Sequence, residues 1–336
     1  MAYTYDKYHP YRTYLEEYAP RWDGMAHLRR EDGILEVRFH TDDGPVRFCE
    51  AIHKAYLGLC HDISMDPENE IVILTGTGDS FVSLSDKELS TTYFPEYTSA
   101  CTYDWWYLTA TRVPLAWLDI PVPVICALNG PITIHPESVL LSDYIIAGEN
   151  AYTVDRHIQD AGCAPIDGVN ILYERLMGIN AARALLLNGG VIDAQRGKEL
   201  GIFAEVVPHG KELDRAWEFA RDLMKRVPSR MVRRMTRETF TQPLREAMMG
   251  APNNVQQSMY LSLSGGDGKA FMVIYSLATA IAGALRAITS SIIAWSQTNY
   301  ESYTPAIMIF LAGSILAIIL INICGFSRME LKESEQ

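Results

Sequence analysis

The hydrophobic and polar positions of the first 265 residues alternate between two periods. In ILEVRFH, Leu35, Val37 and Phe39 are apolar between polar neighbours, the period-two pattern of a half-buried strand. Ile52, Ala55, Tyr56, Leu59, Cys60 and Ile63 then recur every three or four positions, which predicts a helix with one apolar face. IVILTGTG and VPVICALNG are short apolar runs rich in β-branched residues and closed by glycine, as expected of strands buried on both faces. ARALLLNGGVIDAQRGKELGIFAEVVP predicts helix, turn, helix and a short strand, and ELDRAWEFARDLMKRV an amphipathic helix. Strand, helix, strand order recurs, so the fold class is α/β.

The pattern changes at Gly265-Gly266-Asp267-Gly268, after which the chain is almost continuously apolar. Residues 270–295 and 305–325 are each long enough to cross a hydrocarbon layer about 30 Å thick. The sequence thus divides into an N-terminal extension (1–28), a main domain (29–265) and a hydrophobic tail (266–336) with two candidate transmembrane helices forming a hairpin. Arg286 near the middle of the first span costs about 2.5–3.5 kcal/mol on insertion scales, so the second span is the cleaner. Lys269 precedes the hairpin and Arg328 and Lys332 follow it, while the loop SQTNYESY has no basic residue. Both ends are therefore expected on the cytoplasmic side. The alternative for the tail is a pair of buried helices that complete an oligomer interface.

The N-terminus, MAYTYDKYHPYRTYLEEYAPRW, lacks the apolar core of a secretory signal, which places the main domain in the cytoplasm, membrane-anchored if the tail inserts. The formal charge is -12, from 29 basic and 41 acidic residues, and no basic stripe is present, so nucleic acid is not an expected partner. The six cysteines show neither a C-x-x-C pair nor metal-type spacing and read as reduced, mostly buried thiols. No metal is expected. The glycines of GTG and GDG complete no dinucleotide or P-loop fingerprint and read as turn glycines.

Three segments carry a family resemblance. GTGDSFVSLSDKEL resembles the crotonase (enoyl-CoA hydratase/isomerase) loop through Gly76, Gly78, Phe81, Asp86 and Leu89. ICALNGPITIHPES follows the second family segment through Asn129 and Gly130 and then diverges, and SDYIIAGENAYTVDRHIQDAGCAPIDG follows the third. Within the superfamily the chain is most similar to β-diketone hydrolases of the 6-oxocamphor hydrolase type. FHTDDG, CHDI, VILTGTG, VPVI, NGP and P-x-DG stand in matching order, over roughly residues 15–250. The resemblance implies a crotonase-like spiral of ββα units for residues 29–265 and a homotrimer or hexamer. It also implies an oxyanion hole formed by the N–H groups of Ser83 and His135, the latter in place of a glycine.

Where hydratases carry two glutamates, the comparison aligns Ser138 and His157. Ordinary hydration is therefore not expected. The resemblance instead implies a catalytic dyad of His157 and Asp167, with His135 and His53 donating to two carbonyl oxygens and Phe48 in the substrate pocket where the related enzymes have tryptophan. Around NNVQQSMYL no carboxylate stands where those enzymes place one, which leaves Asp167 alone to orient His157. A histidine held by a carboxylate can move protons near neutral pH. The reaction so implied is cofactor-independent cleavage of a carbon–carbon bond in a small-molecule β-diketone, a retro-Claisen hydrolysis. Two alternatives stay open: a hydratase/isomerase variant using a coenzyme A thioester as substrate, and a catalytically silent, membrane-tethered scaffold. A lone helical histidine such as His53 is ordinarily a packing residue, and Asp167-Gly168 by itself is a turn.

Overall fold

The computed structural model describes residues 12–82, 111–159, 165, 167–249 and 292–309. The chain separates into two compact units, residues 1–266 and 267–336. In the first, α1 (Leu15–Trp22) leads into a hairpin of β1 (Ala26–Glu31) and β2 (Ile34–Phe39), then α2 (Glu50–Met65) and β3 (Ile71–Thr75). After residue 110 come α3 (Val113–Leu118), β4 (Val124–Leu128), α4 (Glu137–Leu140), β5 (Tyr144–Gly148) and β6 (Tyr152–Val154). The unit continues with α5 (Val169–Met177), α6 (Ile179–Asn188), β7 (Val191–Asp193), α7 (Ala194–Glu199), β8 (Glu205–Val207), α8 (Glu212–Arg226) and α9 (Arg230–Met249).

Six strands form one sheet in the order β1-β2-β3-β4-β5-β8, antiparallel at the β1–β2 edge and parallel elsewhere. On one face Ile34, Ile71, Ile73, Ile125, Ala127 and Ile146 pack under Ala216, Trp217 and Ala220 of α8. The other face, through Leu35, Val37, Val72, Leu74, Cys126 and Leu128, joins the larger core with Tyr56, Leu59, Trp117 and Leu118 from α2 and α3. Each fully buried large apolar side chain contributes roughly 1.5–3 kcal/mol to this packing. A smaller layer pairs β6 with β7 and runs through single bridges linking Val82, Ile132 and Thr153.

Strand β2 is more deeply buried than its alternation predicts. Glu36, on its polar face, is only 2% exposed. It accepts hydrogen bonds from Arg29 (2.6 Å), Arg38 (2.9 Å) and the Trp217 indole (2.7 Å), so α8 covers this face by satisfying the carboxylate. The apolar face of α2 is also rotated. Tyr56, Leu59, Cys60 and Ile63 are buried as expected, but His53 joins them while Ile52 and Ala55 are only half-buried.

The loops leaving β3 and β4 are locked together. Asn129 accepts from the Gly76 N–H (3.0 Å) and donates to the carbonyls of Gly78 (2.7 Å) and Ser80 (3.1 Å). The N–H of Phe81 reaches the Pro131 carbonyl (2.9 Å). The approach is so close that a Cβ on Gly130 would lie 2.0 Å from the Asp79 carbonyl oxygen. Gly130→Ala should therefore cost about 1–3 kcal/mol in a urea titration, as overpacking does, because backbone rather than a mobile side chain must yield. A midpoint equal to wild type would mean that the two loops are not rigidly joined.

In the second unit the described residues are helical over 292–300 and 304–309, tied by a hydrogen bond from the Ser296 hydroxyl to the Ser302 carbonyl (2.6 Å). Among the described residues no helix is long and apolar enough to cross a membrane. Of the spans expected at 270–295 and 305–325, all but 292–295 and 305–309 lie outside the described residues, as do the glycines at 265–268.

Candidate active site

Four elements bring the predicted side chains to one place. His53 comes from the buried face of α2, Phe48 from the segment before it, and His135 from the loop between β4 and α4. His157 follows β6, and Asp167 precedes α5. The rings of His53 and His135 lie 4.1 Å apart between centroids, those of Phe48 and His135 4.7 Å, and those of His135 and His157 5.5 Å. Phe48, His53 and Asp167 are buried, and the side chains of His135 and His157 keep only 12% and 10% exposure. Ser83, the other expected oxyanion donor, lies outside the described residues, as do Lys87 and the NNVQQSMYL segment.

His135 has φ 51, in the left-handed region that favours glycine. This explains in backbone terms why a glycine suits the position, and a side chain there costs on the order of 1–2 kcal/mol. The turn begins α4 at Glu137, with Pro136 as its N-cap. It puts Glu137, not Ser138, beside the histidine: His135 Nδ1 donates to Glu137 Oε1 at 2.8 Å, and Glu137 is only 1% exposed. Ser138 instead turns its hydroxyl back to the His135 carbonyl (3.1 Å). The sequence comparison assigned no role to Glu137 and aligned Ser138 with a hydratase glutamate. A buried carboxylate is present one residue earlier than the aligned position.

The dyad is also more than a pair. Asp167 Oδ2 stands 2.8 Å from His135 Nδ1 and 3.2 Å from His157 Nε2. Those contacts are ion-pair distances that lie off the N–H directions, and neither Asp167 oxygen has an aligned hydrogen-bond partner among the described residues. The aligned bond to His157 comes from another carboxylate, Asp155, whose Oδ2 accepts from Nδ1 at 2.7 Å. Asp167 therefore does not orient His157 alone.

Charges follow from this arrangement. Burial works against a charge on His157, but Asp167 and Asp155 outweigh it and hold its pKa well above the ordinary histidine value. For His135 burial is likewise overcome, by Glu137 and Asp167, and its pKa rises to about 9. Burial, together with the cationic His135 and His157, pushes His53 well below the usual range and keeps it a neutral imidazole. Burial and the Asp167 charge raise Glu137 to about 7, against the pull of His135. Asp167 is held far below the carboxylate range because the two imidazoles prevail over burial. The site thus holds two cationic imidazoles around one carboxylate, with a neutral imidazole whose Nε2 has no partner among the described residues.

Ligand-type atoms of His53, His135 and Glu137, and of His135, His157 and Asp167, come within 4.8 Å of one another in each group. The Nδ1 atoms of His135 and His157 are already engaged by carboxylates through protons, an arrangement of acid/base rather than ligand character. The arrangement can donate hydrogen bonds to two neighbouring oxygens and exchange a proton at His157.

The enoyl-CoA hydratase/isomerase family model matches residues 29–263. The chain belongs to this crotonase family. A solved β-diketone hydrolase from the cyanobacterium Anabaena, bound to (S)-3-oxocyclohexyl acetic acid, is 32% identical with a TM-score of 0.67, covering 75% of this chain and 98% of that one. An enoyl-CoA hydratase/isomerase from Mycobacterium paratuberculosis shares the fold at 20% identity and a TM-score of 0.64, again covering 75% and 98%. The mitochondrial enoyl-CoA hydratase of Pongo abelii is 25% identical over 213 residues, 62% of this chain and 69% of its own length. Crotonase-family members are enzymes acting on small molecules, and this chain has their α/β fold with a mainly parallel sheet.

Sequence reasoning missed Asp155 and Glu137. Each stands two positions from a histidine already singled out, in VDRH and HPE, and that spacing was the available signal.

Proposed function

We propose that this protein hydrolyses a carbon–carbon bond of a β-diketone by retro-Claisen cleavage. The observation that carries this reading is the convergence of His53, His135 and His157 on Asp167 beside Phe48. Likeness to the Anabaena hydrolase supports it. The ligand of that enzyme is a ring ketone bearing an acetic acid arm. Joining its carboxyl carbon to the far carbon α to the ketone, with loss of water, gives a bicyclic β-diketone, the substrate class proposed here.

Water attacks one carbonyl carbon, and His157 in its neutral form takes the proton. The resulting alkoxide expels the carbon between the two carbonyls, whose electron pair delocalises onto the second oxygen as an enolate. His157 then returns the proton to that carbon, which gives a keto acid. Charge develops on two oxygens in turn, and donors already in place for them lower both barriers. The His135 imidazolium and the His53 N–H are the proposed donors, and Phe48 bounds the pocket. The full chain, incubated with a bicyclic 1,3-diketone, should consume the diketone and yield one equivalent of keto acid, both followed by chromatography.

A second reading, acyl-CoA chemistry, is favoured by Glu137, a buried carboxyl group whose pKa near 7 suits acid/base work. Calorimetric saturation with a coenzyme A thioester, together with no diketone turnover, would establish it. Silence toward both substrate classes would promote the inactive scaffold.

The retro-Claisen reading fixes a pH dependence. The pKa of His157 lies well above 6.5, so its proton-accepting form grows as pH rises past neutrality. His135 loses its donor charge only around 9. Hence kcat/KM should climb from about pH 6.5 into the alkaline range before falling. A maximum at or below neutrality would show that His157 does not accept the proton.

A further inference from the structure

We propose that Asp155 is the positioning residue that sets the tautomer of His157, while Asp167 serves both imidazoles as a shared anion. The catalytic part of this inference rests on the retro-Claisen reading; the tautomer assignment does not.

Asp155 directly follows β6 and holds His157 twice. Its Oδ2 accepts from Nδ1 at 2.7 Å, and its Oδ1 accepts from the His157 backbone N–H at 3.3 Å. A carboxylate tied to both the ring and the backbone of one residue fixes that ring's torsion as well as its proton. Asp155 is only 4% exposed, so water competes little for these bonds. Asp167 does neither job. Its Oδ2 lies closer to His135 Nδ1 (2.8 Å) than to His157 Nε2 (3.2 Å), and neither oxygen has an aligned partner among the described residues.

The consequence concerns which nitrogen reacts. A carboxylate at Nδ1 keeps the proton there when the ring is neutral, leaving Nε2, 3.2 Å from Asp167 Oδ2, as the nitrogen that accepts a proton. Among the described residues, the groups facing His157 are Asp155 just after β6, Asp167 from the start of α5 and His135 from the loop before α4, with His53 and Glu137 behind His135. Among these, Asp155 makes the aligned bond to the ring.

The experiment is ¹⁵N–¹H long-range correlation NMR of the full chain, with His157 assigned by comparison with His157→Gln. Wild type above the His157 titration should show the Nδ1–H form. Asp155→Asn should shift the population toward Nε2–H and lower the titration midpoint, whereas Asp167→Asn should lower the midpoint and keep Nδ1–H. Cleavage by Asp155→Asn should fall about 10³- to 10⁴-fold in kcat with KM within about twofold of wild type, the signature of a wrong tautomer. Wild-type protein in the Nε2–H form overturns the inference by itself, whether or not a variant folds. So does an Asp155→Asn protein with unchanged tautomer and midpoint. If no diketone is turned over but the tautomer behaves as stated, the positioning role stands and the retro-Claisen reading fails.

Discussion

His157→Ala is expected to lower kcat for diketone cleavage about 10²- to 10⁴-fold, the range supplied by general acid/base catalysis, while leaving KM near its wild-type value. Within the site, His157 is flanked at both ring nitrogens by carboxylates, and a tenth of its side chain is exposed. Its removal takes away the proton acceptor, whereas the proposed oxygen donors, His53 and His135, stay. Asp167→Asn should cause a loss of similar size for another reason. It removes the anion next to two cationic rings, so the pKa values of His135 and His157 both fall and the donor charge on His135 weakens near neutral pH. The two substitutions separate in their pH profiles: the alanine variant should lose the rising limb, and the asparagine variant should move it to lower pH. Wild-type rates in both variants, with unchanged circular dichroism, would remove these residues from the chemistry.

Much of the site was legible because segment order, rather than any single motif, located it. His53, His135, His157 and Asp167 were identified on loops and a helix that the fold draws together, and the strand leading to His135 had its own apolar pattern. Two carboxylates were not legible, for reasons of local geometry. Residues two apart on an extended strand point the same way without meeting, so Asp155 could touch His157 only if the chain turned after β6, and VDRH does not announce a turn. Glu137 was passed over because alignment put Ser138 in the functional position. The left-handed His135 and the helix start at Pro136 shift the side chain that reaches the site by one residue. The same limit applies to β2. Alternation marks Glu36 as a solvent-facing residue, yet Trp217, 181 residues later, covers it.

The largest stability effect is expected at Arg237, for which no periodicity argument gave a role. Its guanidinium is buried, with 1% side-chain exposure, and pairs with Asp143 at 2.5 Å. It also donates to the carbonyls of Trp117 (3.0 Å), Ile120 (3.2 Å) and Leu141 (3.4 Å). One side chain on α9 thus ties down the end of α3, the approach to β4 and the approach to β5. Asp143 is itself part of the frame, because its other oxygen accepts from the Val124 N–H (2.7 Å) at the start of β4. Replacing a buried ion pair as a unit can be neutral, but deleting one partner leaves the other charge uncompensated, which costs about 3–5 kcal/mol. Arg237→Met keeps much of the volume and loses every donor, so it should reach that range, seen as a lower urea midpoint with an unchanged slope. Arg237→Lys keeps the charge without the planar fork that serves several acceptors at once, and should fall between the two. Because β4 leads directly into the Asn129-Gly130 lock and the His135 turn, the methionine variant should lose diketone cleavage at a lower urea concentration than it loses far-ultraviolet ellipticity. If Arg237→Met costs less than about 1 kcal/mol, these carbonyls find other partners and α9 is not the brace of the site-bearing strands.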